Sequence, residues 1–149
     1  MKKIIITLSV VLLSTIVFAQ KNISDYVKTQ DCLFFYQKVS LGFGHFLTGK
    51  LNGKKTNYSF DDVVEYRKNG EIFIKMPEIV DNKPTKNSVF MKAMTYRNGL
   101  VLYEYSKVDV NGIKYSEFYI FDDHKFVVDV NKQNYLTLID FFETDVHAK

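Results

Sequence analysis

His45, His124, His147, Cys32, Glu104 and Glu117 are the side chains whose chemistry would matter most if the fold brought them together. The histidines form no His-x-x-x-His pair and there is no Cys-x-x-Cys, so zinc spacing is absent. Asp122-Asp123-His124 offers oxygen and nitrogen ligands, yet Asp is a routine turn former and the tripeptide reads first as a turn. The acidic loop of an EF-hand is missing, as is a Gly-x-Ser-x-Gly elbow. A Cys32 nucleophile would need His45 or His124 beside it in space; flanked by Leu33-Phe34-Phe35, it reads instead as a small buried hydrophobe. Glu104 and Glu117 are the best candidates for a carboxylate pair, with two solvated glutamates as the plainer reading. Tyr96, Tyr103, Tyr105, Tyr115 and Tyr119 suit either a stacking platform or a packed core. The expectation is a protein without catalytic residues, metal ligands or cofactors.

The element that must position these groups is an antiparallel meander over residues 88–130. Asn98-Gly99 and Asn111-Gly112 each sit between alternating runs, the strongest short-range hairpin signal. Two-residue turns at both set Arg97 against Leu100, Tyr96 against Val101, Met94 against Tyr103 and Lys92 against Tyr105. They also set Tyr105 against Phe118, Tyr103 against Ile120 and Asp109 against Lys114. One face then carries Met94, Tyr103 and Ile120 beside Lys92, Tyr105 and Phe118, and is read as the core face. The other mixes Glu104 and Glu117 with Leu102, Tyr119 and Met91, and is read as half-solvated. A one-residue slip would exchange the faces. A three-residue turn at residues 122–124 brings Phe126 and Val128 to the core face.

Residues 1–19 have the layout of a secretory signal peptide: Lys2 and Lys3, an apolar run over residues 4–18, and Val17-Phe18-Ala19 before Gln20. The run is short for a bilayer span of ~20 residues, so cleavage and no stable membrane span are expected, with a secreted or periplasmic location. Residues 20–149 suit a single β-rich domain. Removing Lys2 and Lys3 from the 20 basic residues leaves 18 against 17 acidic ones, a net charge of about +1 in place of +3. That balance, with Arg67 and Arg97 the only arginines, argues against nucleic acid as partner. A single cysteine excludes an intrachain disulfide.

Elsewhere, residues 21–30 read as a polar arm or a short helix begun at Ser24-Asp25. Residues 31–39 read as a strand, with an N-terminal helix, and hence an α+β fold, as the alternative. The glycines around Gly42-Phe43-Gly44 imply a bend, a bulge or a close backbone approach. Asn52-Gly53 and Asn69-Gly70 mark two more hairpins. Residues 77–87, with both prolines, read as a long crossing loop. After Val130 the period becomes helical: Asn131 is the N-cap, and Tyr135, Leu138, Ile139 and Phe142 form a stripe over residues 132–143 that should be buried on the sheet. The fold class is therefore mainly β, a meander forming a curved sheet or barrel with a C-terminal amphipathic helix. The layout of signal peptide, meander and terminal helix is similar to that of lipocalin-like proteins, which would imply a closed barrel. The glycine–tryptophan element of the lipocalin N-terminal strand is absent, since the chain has no Trp, so no binding residue is carried over. The functional expectation is an exported, non-enzymatic module for a small apolar or aromatic ligand, lined by Tyr103, Tyr105, Phe118 and Ile120. The alternative is a protein-interaction component using the mixed face or a strand edge.

Overall fold

The computed structural model describes residues 24–42 and 45–143; the expected signal peptide and the C-terminal tail lie outside these residues. Among the described residues eleven strands and one helix follow in order: β1 (Asp25–Thr29), β2 (Leu33–Tyr36), β3 (Lys38–Leu41), β4 (Phe46–Leu51), β5 (Lys54–Ser59), β6 (Val63–Lys68), β7 (Glu71–Val80), β8 (Lys83–Arg97), β9 (Leu100–Val108), β10 (Lys114–Asp122), β11 (Lys125–Asp129) and α1 (Tyr135–Glu143). Eight of the strands form an antiparallel sheet in the order β11-β10-β9-β8-β7-β6-β1-β2, and β3-β4-β5 form a second sheet. The large sheet ends in two free edges, so the chain is mainly β but not a closed barrel. The segment read as an arm or N-terminal helix is strand β1, with Val27 fully buried. Burial of alternate residues against a second sheet overrides the weak helical pattern.

Asn52-Gly53, Asn69-Gly70 and Asn98-Gly99 form tight turns with both residues at positive φ, as that dipeptide favours. Asp81-Asn82 does the same without glycine, at φ of 51° and 58°. The expected loop over residues 77–87 is thus a continuous β7–β8 hairpin. Its prolines are accommodated where the β7–β8 register shifts between Pro77 and Ile79, a point where a missing N–H does little harm and the strand bends.

The meander's hairpins stand where expected, but its register does not. Arg97 faces Leu100 and Tyr96 faces Val101 as read; a bulge at Met94 then sets Ala93 against Tyr103 and Lys92 against Glu104. The Asn111-Gly112 turn is longer than two residues. Asp109 N–H donates to the Ile113 carbonyl, Gly112 takes φ of 80°, and the Asp109 carboxylate accepts from the N–H groups of Asn111 and Ile113. Tyr103 consequently faces Tyr119 and Tyr105 faces Glu117. The turn at β11 has two residues, Asp123 and His124, and a later shift puts Phe126 opposite Phe121 but Val128 opposite Ile120.

Directly opposed residues share a face, so the register defines two faces. A front ladder runs Phe34, Val27, Tyr66, Phe73, Lys92, Glu104 and Phe118 across seven strands. The small sheet covers one end of this face. Val39 and Leu47 pack with Val27, Tyr36, Val63 and Tyr66 into a first core. Asp25, only 2 % exposed, holds the layers together: its carboxylate accepts from Val39 N–H and from Asn69 N–H, each at 2.9 Å. At the other end of the front face lies α1. Asn131 caps it as expected, accepting from Gln133 N–H at 2.9 Å while Asn134 Oδ1 accepts from Asn131 N–H. The helix is shorter than the period suggested, and its stripe is only half covered; Tyr135 is 51 % exposed.

The second core lies on the back face. Met91, Tyr103, Tyr119 and Phe121 have no second sheet over them. Beyond Lys92 toward its turn, β8 pairs with β7 alone, and this outer half of the hairpin folds across the back. Met76 and Ile79 thereby join the same cluster. Past Ile79, the turn Asp81-Asn82 faces Lys107, Glu117 and Asp129 across a polar cleft. Among the described residues no helix is long and apolar enough to cross a membrane.

Candidate functional site

A hollow of about 980 Å³ opens where the tip of the small sheet meets β7 and β8 of the large one. Its wall is aromatic. The Phe60 ring stands edge-on to Phe90 at 5.2 Å, Phe90 is edge-on to Tyr66 at 5.0 Å, and Tyr66 stacks on Phe73 at 4.7 Å. The β5–β6 turn presents Phe60 because Lys75 reaches back to it: its Nζ donates to the carbonyls of Phe60 and Asp61 at 2.8 and 2.9 Å. Phe60 N–H donates to the His45 carbonyl, and the His45 ring lies edge-on to Phe60 at 5.7 Å. Leu41, Asp61, Lys86, Val89 and Tyr105 complete the rim. Burial raises the Tyr66 hydroxyl above its ordinary pKa, so it stays a neutral hydrogen-bonding group at physiological pH. The arrangement presents flat apolar surface with a few polar atoms, which suits binding more than bond-making.

The four residues expected to line a pocket do not converge. Tyr103 is buried in the back core against Phe121. Tyr105, on the same face and half buried, contributes to the rim of the hollow. Phe118 and Ile120 belong to the front face, where Phe118 lines a groove of about 410 Å³ under α1 with Leu102, Ile139 and Phe142. The slip at Asn111-Gly112 separates the pairs, because one residue of register exchanges the faces.

The same slip takes apart the carboxylate pair. Glu104 lies on the front, 2.7 Å from Lys92 Nζ, and accepts from Ser116 Oγ. Those two hydrogen bonds hold its pKa below the usual carboxylate range. Glu117 lies on the back. Burial opposes its charge, but hydrogen bonds from Lys107 and Tyr119 outweigh it and its pKa is lowered too. Cys32 is exposed rather than buried, in the turn after β1, where its N–H donates to Thr29 Oγ1. His124 is exposed in its turn beside Asp123, and His147 lies outside the described residues. Among the described residues no group of three or more His, Cys, Asp or Glu could hold a metal ion.

Phe60, Tyr66, Phe90 and Lys75 were not singled out by sequence. They come from four separate strands and turns, and no spacing rule links them. His45, at the rim, had no stronger cue in the sequence than the glycines that precede it. No protein-family model matches the chain, and no curated protein or solved structure matches it either.

Proposed function

We propose that this protein is an exported, non-enzymatic binding module that takes a small apolar or aromatic ligand in the hollow beside Phe60, Tyr66 and Phe90. The observation that carries the reading is the aromatic wall, three rings in edge-on contact around an open volume large enough for a drug-sized molecule. The signal-peptide layout of residues 1–19 supports export. Tyr103, Tyr119 and Phe121 of the meander pack into the back core, whereas Phe60, Tyr66 and Phe90 face the hollow. Lys75 and Lys86 favour a ligand with an acceptor or acidic group at one end.

Titration with an anilinonaphthalene sulfonate, an aromatic anion that fluoresces on leaving water, tests this. Saturable binding at one site is expected. Phe60→Ala should weaken it roughly tenfold, about 1.4 kcal/mol, with an unchanged far-ultraviolet spectrum. Leu136→Ala, on the exposed side of α1, should leave it unaltered. Equal binding by Phe60→Ala and the parent would remove the hollow as the site.

A further inference from the structure

We propose that β2 is the seam along which two copies of this chain join, antiparallel, into one continuous sheet. The outer half of the β7–β8 hairpin, where these strands pair only with each other, carries Pro77, Lys83, Pro84 and Lys86. Among the described residues the two sheets end on four strands, β11 and β2 of the large sheet and β3 and β5 of the small one. Three carry the features that discourage edge-to-edge pairing. Strand β11 has Lys125, Asp129 and a register shift against β10; β5 begins with Lys54-Lys55; β3 begins with Lys38. Strand β2 reads Leu33-Phe34-Phe35-Tyr36, with no charge, no proline and no register shift against β1. Leu33, Phe34 and Phe35 are 48, 39 and 55 % exposed. Beside them lies an apolar hollow of about 520 Å³ that reaches Leu51 and Thr56 of the small sheet. Among the described residues, this edge sets three consecutive exposed apolar side chains beside unpaired backbone groups, whereas β11 exposes Val127 and β3 exposes Leu41 singly.

A second copy fits this edge better than an arbitrary strand because the segment is complementary to itself. A two-fold axis normal to the sheet keeps front face against front face, so only registers that pair residues of like face are open. The one centred on Phe34 sets Phe34 opposite Phe34 of the second copy, Leu33 opposite Phe35 of the second copy and Tyr36 opposite Cys32 of the second copy. Every residue of β2 then meets an apolar or aromatic neighbour, the pairing that stabilises sheets best. Asp31 precedes the strand and Lys38 follows it. Antiparallel pairing draws Asp31 of each copy toward Lys38 of the other, whereas parallel pairing would oppose like charges. A two-fold interface of this kind closes on itself and stops at a dimer. The inference is independent of the ligand hollow, which lies at the other end of the small sheet.

Sedimentation equilibrium of the full chain from micromolar to submillimolar concentration tests it. A monomer–dimer equilibrium is expected, weak because the strand is short. Phe35→Lys and, separately, Leu33→Lys should raise the dissociation constant at least about tenfold, since each places a charge in the seam. Val127→Lys on β11, the opposite edge, should not. Asp31→Lys should weaken the dimer and Asp31→Lys with Lys38→Asp should restore it. A chain monomeric at every concentration overturns the proposal. So does a dimer indifferent to both lysine variants, or one that the charge exchange fails to restore. A monomer that instead takes up an extended apolar peptide along β2 overturns the assignment to a second copy.

Discussion

The front core and the back core are closed by different devices. The front core is a sandwich end: Val27, Val63 and Tyr66 of the large sheet meet Val39 and Leu47 of a separate sheet, and a buried carboxylate ties the layers. The back core has no second layer. One sheet bends on itself at Pro77, and Met76 and Ile79 come down on Tyr103, Tyr119 and Phe121. Two layers can exclude water with small β-branched side chains, whereas a single bent hairpin leaves gaps that long and aromatic side chains must fill. Three of the six buried back-core residues are accordingly tyrosine or phenylalanine, and two are methionine.

The largest effect should come from emptying either core at its centre. Phe121 and Leu47 are both fully buried. Phe121→Ala should cost about 3–5 kcal/mol and Leu47→Ala about 2–5 kcal/mol, by lost burial and the cavity left behind. Urea unfolding followed at once by tyrosine fluorescence and circular dichroism would separate two possibilities. If both variants unfold in one transition by both probes, the shared strands β7 and β8 make the cores one cooperative unit, which is the expected result. Two resolved transitions would mean the bend at Pro77 uncouples them.

Sequence and fold agree where local chemistry decides. Asn-Gly turns, the Asn131 cap and the strands of the meander all follow from backbone preferences a few residues long. Disagreement begins where a side chain or a neighbouring strand overrides the dipeptide. Asp109 can accept from two N–H groups, and that lengthens the Asn111-Gly112 turn and exchanges one pair of faces. The bulge at Met94 does the same on the neighbouring strand. Asp81-Asn82 lacks the glycine that marks the other tight turns, so its hairpin resembled a loop. The candidate site was the least legible, because Phe60 and Phe90 meet across two sheets.

Asp25 is the next test of the comparison, since the back core has no equivalent. Asp25→Ala leaves the N–H groups of Val39 and Asn69 without their acceptor, at about 1–3 kcal/mol for each buried group left unsatisfied. A loss of about 2–4 kcal/mol is expected from chemical denaturation, with Asp25→Asn milder because one oxygen remains. Asp62→Ala, exposed in the β5–β6 turn, should change little. A loss from Asp25→Ala no greater than from Asp62→Ala would mean that packing alone holds the small sheet.

Gly49 should give a smaller effect by the opposite route. A Cβ there would lie 2.5 Å from the ring of Tyr36, whose hydroxyl hydrogen-bonds with that of Tyr58. Gly49→Ala must push that ring out of the front core, for about 1–3 kcal/mol of overpacking. In a Tyr36→Ala background the same change should cost less, because the obstructing ring is gone. A double-mutant cycle with no coupling would show that the close approach contributes nothing.

The smallest effect, and the one that distinguishes the middle of the front face, is the pH response of Lys92. Its ammonium lies between Glu104 and Glu71, at 2.7 and 3.2 Å, in the gap between the small sheet and α1. The hydrogen bond to Glu104 raises the Lys92 pKa, and that bond with the one from Ser116 lowers the Glu104 pKa. A carboxyl whose folded pKa is depressed adds stability above its unfolded value of about 4.3 and loses it as pH falls through the folded value. A raised lysine adds stability below about 10.4 and loses it as pH climbs through its folded value. The pair therefore stabilises across the neutral range and fades at both ends. The groups are partly solvated, so the contribution should stay within about 0–1 kcal/mol. Lys92→Met should lower the urea midpoint slightly at pH 7 and make the acid limb shallower between about pH 5 and 3, because Glu104 then loses the larger of its two hydrogen bonds and keeps only the one from Ser116. In Lys107→Met the back-face partner Glu117 likewise keeps one hydrogen bond, from Tyr119, so its acid limb should flatten as well. Acid limbs identical in Lys92→Met and the parent would show that the ion pair at the centre of the front face carries no linkage at all.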